Sequence, residues 1–269
     1  MLLSEILDKY AHEKLIKAVD RQRGEIAIKN LTTFLGQDKL ADLDDELCGE
    51  YAEDRDVSDS TIRRELTVLK AAVRWAWRKK RITLADIPVI ELPPESAPAE
   101  RWLTKDELRA LAAAADDGLK DFIDTAYFTA SRKTAIIRLT RPQVDLGIRR
   151  INLALPNERK TCKRRPIVPI DPLIFDMVKN RYQNAVGERL FPDLNSLNAR
   201  FKRAVGRAGL TGRVTPHTLR HSRATHLLQS GTQPYAVAQL LGDNLATVLR
   251  VYGHHCPNYL AETINSPAN

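Results

Sequence analysis

The chain is poor in cysteine and in long apolar segments. Its three cysteines lie far apart without a CxxC pair, so nothing in the sequence resembles a disulfide framework or a zinc site. No run of about 20 apolar residues occurs, which argues against a membrane span. The N-terminal segment MLLSEILDKY lacks the apolar core of a signal peptide. We therefore expect a cytoplasmic protein that needs no metal and no other cofactor.

Acidic residues are nearly absent from one part of the chain. Residues 131–170 contain 11 Lys or Arg against 2 Asp or Glu, whereas residues 1–100 contain 16 against 20. The whole chain carries a net charge of +8 at pH 7, so this window alone exceeds the excess of the protein. A charge run can be a merely solvated surface, but so uneven a distribution favours contact with a polyanion.

The first part of the chain is predicted to be helical. Apolar periodicity predicts helices over 4–19, 26–35, 40–51 and 60–80. The longest has an apolar stripe that we expect in the core, formed by Ile62, Leu66, Leu69, Val73 and Trp77. Its other face is basic, with Glu65 as one acidic exception, and is either solvated or bound to phosphates. The residues that we assign to phosphate contact on this face are Arg63, Arg64 and Arg74.

A proline-rich segment divides the chain. Residues 84–100, LADIPVIELPPESAPAE, predict an extended linker between a helical domain over 1–83 and a second domain over 101–269. In the second domain, TKDE at 104–107 has the pattern of a capping box that opens a helix. Segments 149–155 and 165–170 flank a basic loop and predict a β-hairpin or two strands of a small sheet. Further helices are predicted over 119–131, 171–185, 195–208, 234–241 and 246–252, which makes the fold mainly α with a small β-sheet (α+β).

The segment His217-Thr218-Leu219-Arg220 lies on a predicted helix that begins at Thr215-Pro216. Its imidazole and guanidinium share one helix face, and the guanidinium fork matches phosphate oxygens. Alone, such a pair is more often structural. Tyr252 follows about thirty residues later, and no metal motif accompanies it. Together these residues indicate attack on a phosphodiester by a protein nucleophile.

The C-terminal part of the chain resembles the catalytic domain of the tyrosine recombinase (phage integrase) family. Five segments carry the resemblance in order: TASRK at 129–133, RKTCK at 159–163 ahead of VPI at 168–170, HTLRH at 217–221, LLGD at 240–243 and VYGH at 251–254. They extend over about residues 100–260. The helical first domain is similar, with weaker motifs, to the SAM-like core-binding domain of the family. The resemblance implies a C-shaped clamp of two domains on double-stranded DNA.

The resemblance also implies a role for each matching side chain. Tyr252 would attack the scissile phosphate to form a 3′-phosphotyrosine and a free 5′-hydroxyl, with Tyr259 as a rival nucleophile. Arg132 and Arg220 would bind the non-bridging oxygens and stabilise the charge of the pentavalent state. His217 would hydrogen-bond the phosphate or assist proton transfer at the nucleophile. The phenol needs this help because its pKa of about 10 leaves it poorly ionised at neutral pH.

Basic residues around the hairpin complete the implied site. Lys160 would protonate the departing 5′-oxygen, and Lys163 is a near alternative. Lys133, Lys163 and Arg164 would add contacts to DNA phosphates. We expect His221 to be a packing or supporting residue.

Three positions depart from the family pattern, and one of them is Ala135, which stands where an acidic residue often follows the first arginine. Ala130 stands where glycine is common, which bears on local packing. Asp243 stands where histidine or tryptophan usually donates a hydrogen bond to the phosphate, and an ionised carboxylate cannot donate and would repel it. Asp243 would therefore pair with an active-site arginine, accept the Tyr252 proton, or be protonated in the complex. We expect slower chemistry, or activity that requires assembly.

The resemblance implies a site-specific recombinase acting as a homotetramer on two DNA sites, without a membrane and with accessory DNA-bending proteins as possible partners. It would act in the bacterial nucleoid or in the cytoplasm of a phage-infected host. Integration or excision of a phage or other mobile element is the first expectation, and resolution of chromosome or plasmid dimers is the alternative. A DNA-binding relative with a weakened active site and a type IB topoisomerase are further alternatives.

Overall fold

Helices make up most of the structure, and one small sheet accompanies them, so the predicted mainly α fold with a small sheet is confirmed. The computed structural model describes residues 1–18, 21–95, 101–154, 165–185, 187–192 and 194–256. The chain forms two compact units, Met1–Pro98 and Ala99–Asn269. In the described part of the chain, no helix combines the length and apolar character that crossing a bilayer requires.

The described residues of the first unit fold mainly into helices. They are α1 (Leu3–Glu13), α2 (Arg21–Leu35), α3 (Asp45–Asp54) and α4 (Asp59–Arg78), with single turns of 3₁₀ helix at Leu15–Lys17, Leu40–Asp42 and Leu84–Asp86. The segment predicted as one helix over 40–51 is a 3₁₀ turn followed by α3. The break occurs because the Asp44 carboxylate accepts a hydrogen bond from the Leu47 amide and so starts a new helix.

The apolar stripe of α4 faces the core of this unit as predicted, with one correction. Trp77 is 40% exposed, whereas Trp75 is 8% exposed and packs edge-on against Tyr10. The buried row that runs through Leu69 and Val73 continues at Ala76, since helix neighbours recur three or four positions apart. Position 77 therefore faces away from the core.

Glu65 is not part of the basic face of α4 but is buried at 3% exposure. Its carboxylate accepts hydrogen bonds from the Tyr51 hydroxyl at 2.6 Å and from the Asn30 amide at 2.7 Å, and the Arg55 guanidinium lies 3.2 Å away. Burial raises the pKa of Glu65, but these hydrogen bonds and the Arg55 charge outweigh burial and lower it. The ionised carboxylate therefore ties α2, α3 and α4 together.

Residues 84–95 follow the surface of the first unit instead of leaving it. Ile90 is buried, and the Lys70 ammonium donates to its carbonyl at 2.8 Å. The Arg63 guanidinium donates to the Pro93 carbonyl at 2.5 Å and lies 3.3 Å from the Glu95 carboxylate. Arg63 is thus engaged by its own chain, while Arg64 and Arg74 are exposed.

The second unit contains the sheet and eight helices among its described residues. They are α5 (Lys105–Ala113), α6 (Asp117–Phe128), α7 (Lys133–Ile137), β1 (Val144–Asp145), β2 (Arg150–Asn152), β3 (Ile167–Pro169), α8 (Pro172–Asn184), α9 (Leu197–Arg207), α10 (Pro216–Gln229), α11 (Pro234–Leu241) and α12 (Leu245–Tyr252). The sheet is antiparallel in the order β1-β2-β3. The predicted hairpin is confirmed, with Ile151 opposite Val168 and both buried.

Helix starts in the second unit follow the predicted signals. The Thr104 hydroxyl accepts from the Glu107 amide at 3.1 Å, and the Glu107 carboxylate accepts from the Thr104 amide at 2.9 Å, which confirms the capping box. Helix α10 begins at Pro216 after Thr215. Its Ser222 hydroxyl accepts from the Leu103 amide at 2.8 Å and so fixes α10 to the segment before α5.

Candidate active site

The predicted catalytic residues come from four helices of the second unit or their ends. Arg132 is the N-cap of the short helix α7, which the sequence analysis did not predict. His217 and Arg220 lie in the first turns of α10, Asp243 follows α11, and Tyr252 ends α12. Helices α10, α11 and α12 pack around an apolar cluster that contains Ala130, Ala224, Leu228, Val237, Ala238, Leu241, Val248 and Tyr252. This packing brings segments that are distant in sequence to one place.

A single carboxylate joins the two arginines. Arg132 donates from Nη2 to Oδ1 of Asp243 at 2.7 Å, and Arg220 donates from Nη2 to Oδ2 of the same residue. The Asp243 side chain is 27% exposed, so the pair of arginines opens toward solvent on this side. Of the expectations for Asp243, pairing with an active-site arginine is confirmed, and it involves both arginines.

Arg220 is the buried one of the two arginines that contact Asp243. It is 3% exposed and donates from Nη1 to the Ala130 carbonyl at 2.8 Å. Burial lowers the pKa of its guanidinium, and the Asp243 charge opposes that shift. Ala130 presents its carbonyl from a left-handed conformation, with φ at +50°, which costs an L-residue roughly 1–2 kcal/mol. This conformation explains why glycine suits the position.

Tyr252 is held by a histidine that the sequence analysis treated as supporting. Its side chain is largely buried, and its hydroxyl lies 2.7 Å from Nδ1 of His221. Burial raises the pKa of Tyr252 to about 12, with Arg220 opposing and Asp243 adding to the shift. Burial and the Arg220 charge lower the pKa of His221, so its imidazole is neutral at pH 7. A protonated phenol therefore faces a neutral imidazole.

His217 stands on the outer side of this pair. Its ring meets the His221 ring edge-to-face, with centroids 4.6 Å apart. The residue as a whole is exposed, yet burial of its ring lowers the pKa of His217 to about 4, with His221, Arg220 and Arg132 adding to the shift. His217 is thus a neutral imidazole at pH 7 with a face open to solvent. The sequence feature that could have predicted the contact between the His217 and His221 rings is their spacing of one helical turn.

A cleft of about 780 Å³ opens beside Arg132 and His217. Its rim carries the basic residues Arg132, Lys133, Lys202 and Arg213 together with His217, and its floor includes Phe201 and Val205. Lys133 donates to the Asn198 side-chain oxygen at 3.1 Å across this cleft. The cleft therefore has a basic rim and an apolar floor.

Several predicted residues lie outside the described part of the chain. They are Lys160, Lys163, Arg164 and the rival nucleophile Tyr259. Within the described residues, no group of three or more His, Cys, Asp or Glu is placed to hold a metal ion. The described candidate site is therefore built from two arginines, two histidines, one aspartate and one tyrosine.

A family model and curated relatives agree on the family to which this chain is similar. The model of the phage integrase family matches residues 101–258. Tyrosine recombinase XerC of Chlamydia trachomatis is 25% identical over 221 residues, which cover 73% of this chain and 67% of that protein. Tyrosine recombinase XerD of Staphylococcus saprophyticus is 24% identical over 265 residues, or 88% of each chain.

Solved structures share the fold at lower identity. The Tn1549 transposon integrase in complex with circular intermediate DNA superposes with a TM-score of 0.80 at 20% identity, over 99% of this chain and all of that one. A lambda integrase dimer bound to a COC′ core site gives a TM-score of 0.74 at 17% identity, over 92% and 77% of the two chains.

Proposed function

The chain belongs to the phage integrase family, the tyrosine recombinases, and on that premise we propose that it cuts and rejoins DNA site-specifically through Tyr252. The observation that carries this proposal is the pair of guanidiniums on one carboxylate. Arg132 and Arg220 hold the two oxygens of Asp243 as they would hold two non-bridging oxygens of a phosphate. The site is thus an anion cradle beside a buried tyrosine.

The chemistry assigned to this cradle follows from charge. As Tyr252 attacks phosphorus, negative charge grows on the non-bridging oxygens, and fixed guanidiniums stabilise it without reorganising. Tyr252 becomes covalently attached to the 3′ side of the break, and the 5′-oxygen leaves as a hydroxyl. The exposed imidazole of His217 is placed to donate a hydrogen bond to the phosphate. Lys160 remains our candidate for the proton donor to the 5′-oxygen.

The partner that we propose is double-stranded DNA. The basic rim of the cleft, and the excess of Lys and Arg over residues 131–170, supply positive charge for contact with a phosphate backbone. In the first unit, which we propose to be the core-binding domain, Arg64 and Arg74 are exposed for similar contacts. The Tn1549 and lambda integrases were solved with DNA, which supports the same partner here.

Two biological roles remain within this chemistry. The likeness to a transposon integrase favours integration or excision of a mobile element, and the similarity to XerC and XerD favours dimer resolution. We propose the first role, with a homotetramer on two DNA sites. Recombination by this chain alone in a two-plasmid assay supports it. A strict requirement for a second recombinase of different sequence would favour resolution.

The experiment begins with selection of DNA because the recognised DNA sequence has to be identified first. The Tyr252→Phe variant is used to enrich bound duplexes from a random pool, and the enriched sequence is built into a nicked suicide substrate. We expect the wild-type chain to form a covalent protein–DNA adduct and Tyr252→Phe to form none. Tyr127→Phe is the matched control, since Tyr127 is also hydrogen-bonded to a histidine of α10, at 2.7 Å. Absence of any adduct from the wild-type chain contradicts the proposal.

A further inference from the structure

Helix α10 carries two tyrosine–histidine hydrogen bonds of equal length. His221 Nδ1 lies 2.7 Å from the Tyr252 hydroxyl, and His226 Nδ1 lies 2.7 Å from the Tyr127 hydroxyl. The first pair contains the proposed nucleophile, and the second pair lies outside the anion cradle that Arg132 and Arg220 form. The two pairs therefore allow the same contact to be compared inside and outside the site.

The direction of the hydrogen bond at Tyr252 can be argued from its partners. Among the described residues, the Tyr252 hydroxyl has no second hydrogen-bond partner. If Nδ1 of His221 carried the proton and donated, the buried phenolic proton would have no acceptor among the described residues, which is costly. The phenol therefore donates to Nδ1, and His221 carries its own proton on Nε2.

We propose, on the basis of the proposed function, that His221 is the catalytic residue that accepts the Tyr252 proton. The O–H bond of Tyr252 breaks as its oxygen forms a bond to phosphorus, and the proton passes to Nδ1 of His221, which becomes an imidazolium. The bond from phosphorus to the 5′-oxygen breaks, and that oxygen takes a proton from the general acid. In religation the imidazolium returns its proton to the departing Tyr252 oxygen.

His217, the other histidine of the motif, is placed for a different task. It contacts the His221 ring, not the Tyr252 hydroxyl, and its outer face is exposed. An exposed imidazole beside Arg132 and Arg220 can reach a phosphate oxygen, whereas Nδ1 of His221 is already engaged by the Tyr252 hydroxyl. The geometry thus assigns His221 to the nucleophile and His217 to the phosphate.

The first test compares His221→Gln with His226→Gln on the nicked suicide substrate. Glutamine can accept a hydrogen bond from a phenol but cannot take up its proton. We expect His221→Gln to slow adduct formation about 10²- to 10⁴-fold, the range of general base catalysis. We expect His226→Gln to form the adduct at the wild-type rate. DNA affinity and the thermal midpoint verify that each variant is folded.

The second test changes the nucleophile. 3-Fluorotyrosine at position 252 has a more acidic phenol, so it depends less on a base, and the penalty of His221→Gln should shrink. Should His221→Gln misfold, His221→Ala with added imidazole replaces it, and we expect imidazole to restore the rate.

Four results overturn the inference. His221→Gln at the wild-type rate would make His221 a packing residue, and a faster rate would mean that it holds Tyr252 away from the phosphate. A penalty that fluorotyrosine leaves unchanged would also exclude proton transfer. If the wild-type chain forms no Tyr252-dependent adduct, the proposed function itself fails and the inference with it.

Discussion

Replacing Asp243 by asparagine tests whether its carboxylate occupies the phosphate position. The substitution keeps the shape of the side chain and removes the charge that Arg132 and Arg220 share. A hydrogen bond between charged groups contributes about 1.5–3 kcal/mol. The Asp243 and Arg132 side chains are 27% and 26% exposed, so solvent screens their contact, although Arg220 is buried. We take a net contribution of about 1–2 kcal/mol for the pair of contacts.

That contribution sets the size of the expected effect. A bound phosphate or sulfate must displace the Asp243 carboxylate from the guanidiniums, so its binding is weakened by the same free energy. Asp243→Asn should therefore bind an oxyanion about 5- to 30-fold more tightly than the wild type. Without added anion the variant should be less stable, with a midpoint lower by about 2–8 °C for a unit of this size.

Thermal denaturation with increasing sulfate at pH 7 measures both effects. An anion that binds the folded state raises the midpoint, so we expect a larger sulfate-dependent rise for Asp243→Asn than for the wild type. The control is Asp171→Asn, because Asp171 lies 3.3 Å from Arg223 with a similar exposure of 23% but outside the cradle. Equal sulfate responses of the wild type and both variants would refute the assignment of the carboxylate to the phosphate position.

Further predictions concern stability and rate. Glu65→Gln should lower the free energy of unfolding by about 2–3 kcal/mol, because the partly buried Arg55 guanidinium loses its charge partner, as chemical denaturation would measure. Because the folded pKa of Glu65 is lowered, its contribution is present above the unfolded value near 4.5 and is lost as pH falls through the folded pKa, so Glu65→Gln should be less sensitive to acid. Thr104→Ala should cost about 1 kcal/mol by removing the cap of α5, measured in the same way. Asp243→His should speed adduct formation on the suicide substrate, since histidine can donate to the phosphate.

Local signals in the sequence predict much of the fold. Helix periodicity identifies α1, α2 and α4, and the branched residues around Ile151 and Val168 identify the hairpin. The Thr104 capping box is local too, since its two hydrogen bonds join residues three apart. The exposed position of Trp77 is one exception, because two tryptophans two positions apart cannot both face the core of one helix.

The contacts that define the site are of another kind. Motif order places Arg132, His217, Arg220 and Tyr252 in one family pattern, but it does not state which atoms meet. His221 contacts Tyr252 across 31 positions, and Arg132 contacts Asp243 across 111. Such contacts depend on how α10 and α12 pack, and no local propensity encodes that. The helical spacing of His217 and His221 is visible in the sequence, but the division of roles that we propose for them is not.

Asp243 shows how stability and chemistry compete at one position. Two guanidiniums held together without a ligand repel each other, and Arg220 is too buried for water to screen its charge fully. A carboxylate between them relieves that repulsion and stabilises the empty site. The same carboxylate must leave the guanidiniums before a phosphate can bind them. A neutral hydrogen-bond donor at this position would not relieve the repulsion between the guanidiniums, but it would let them bind a phosphate. We therefore expect aspartate to favour an ordered empty site that reacts slowly until bound DNA displaces the carboxylate.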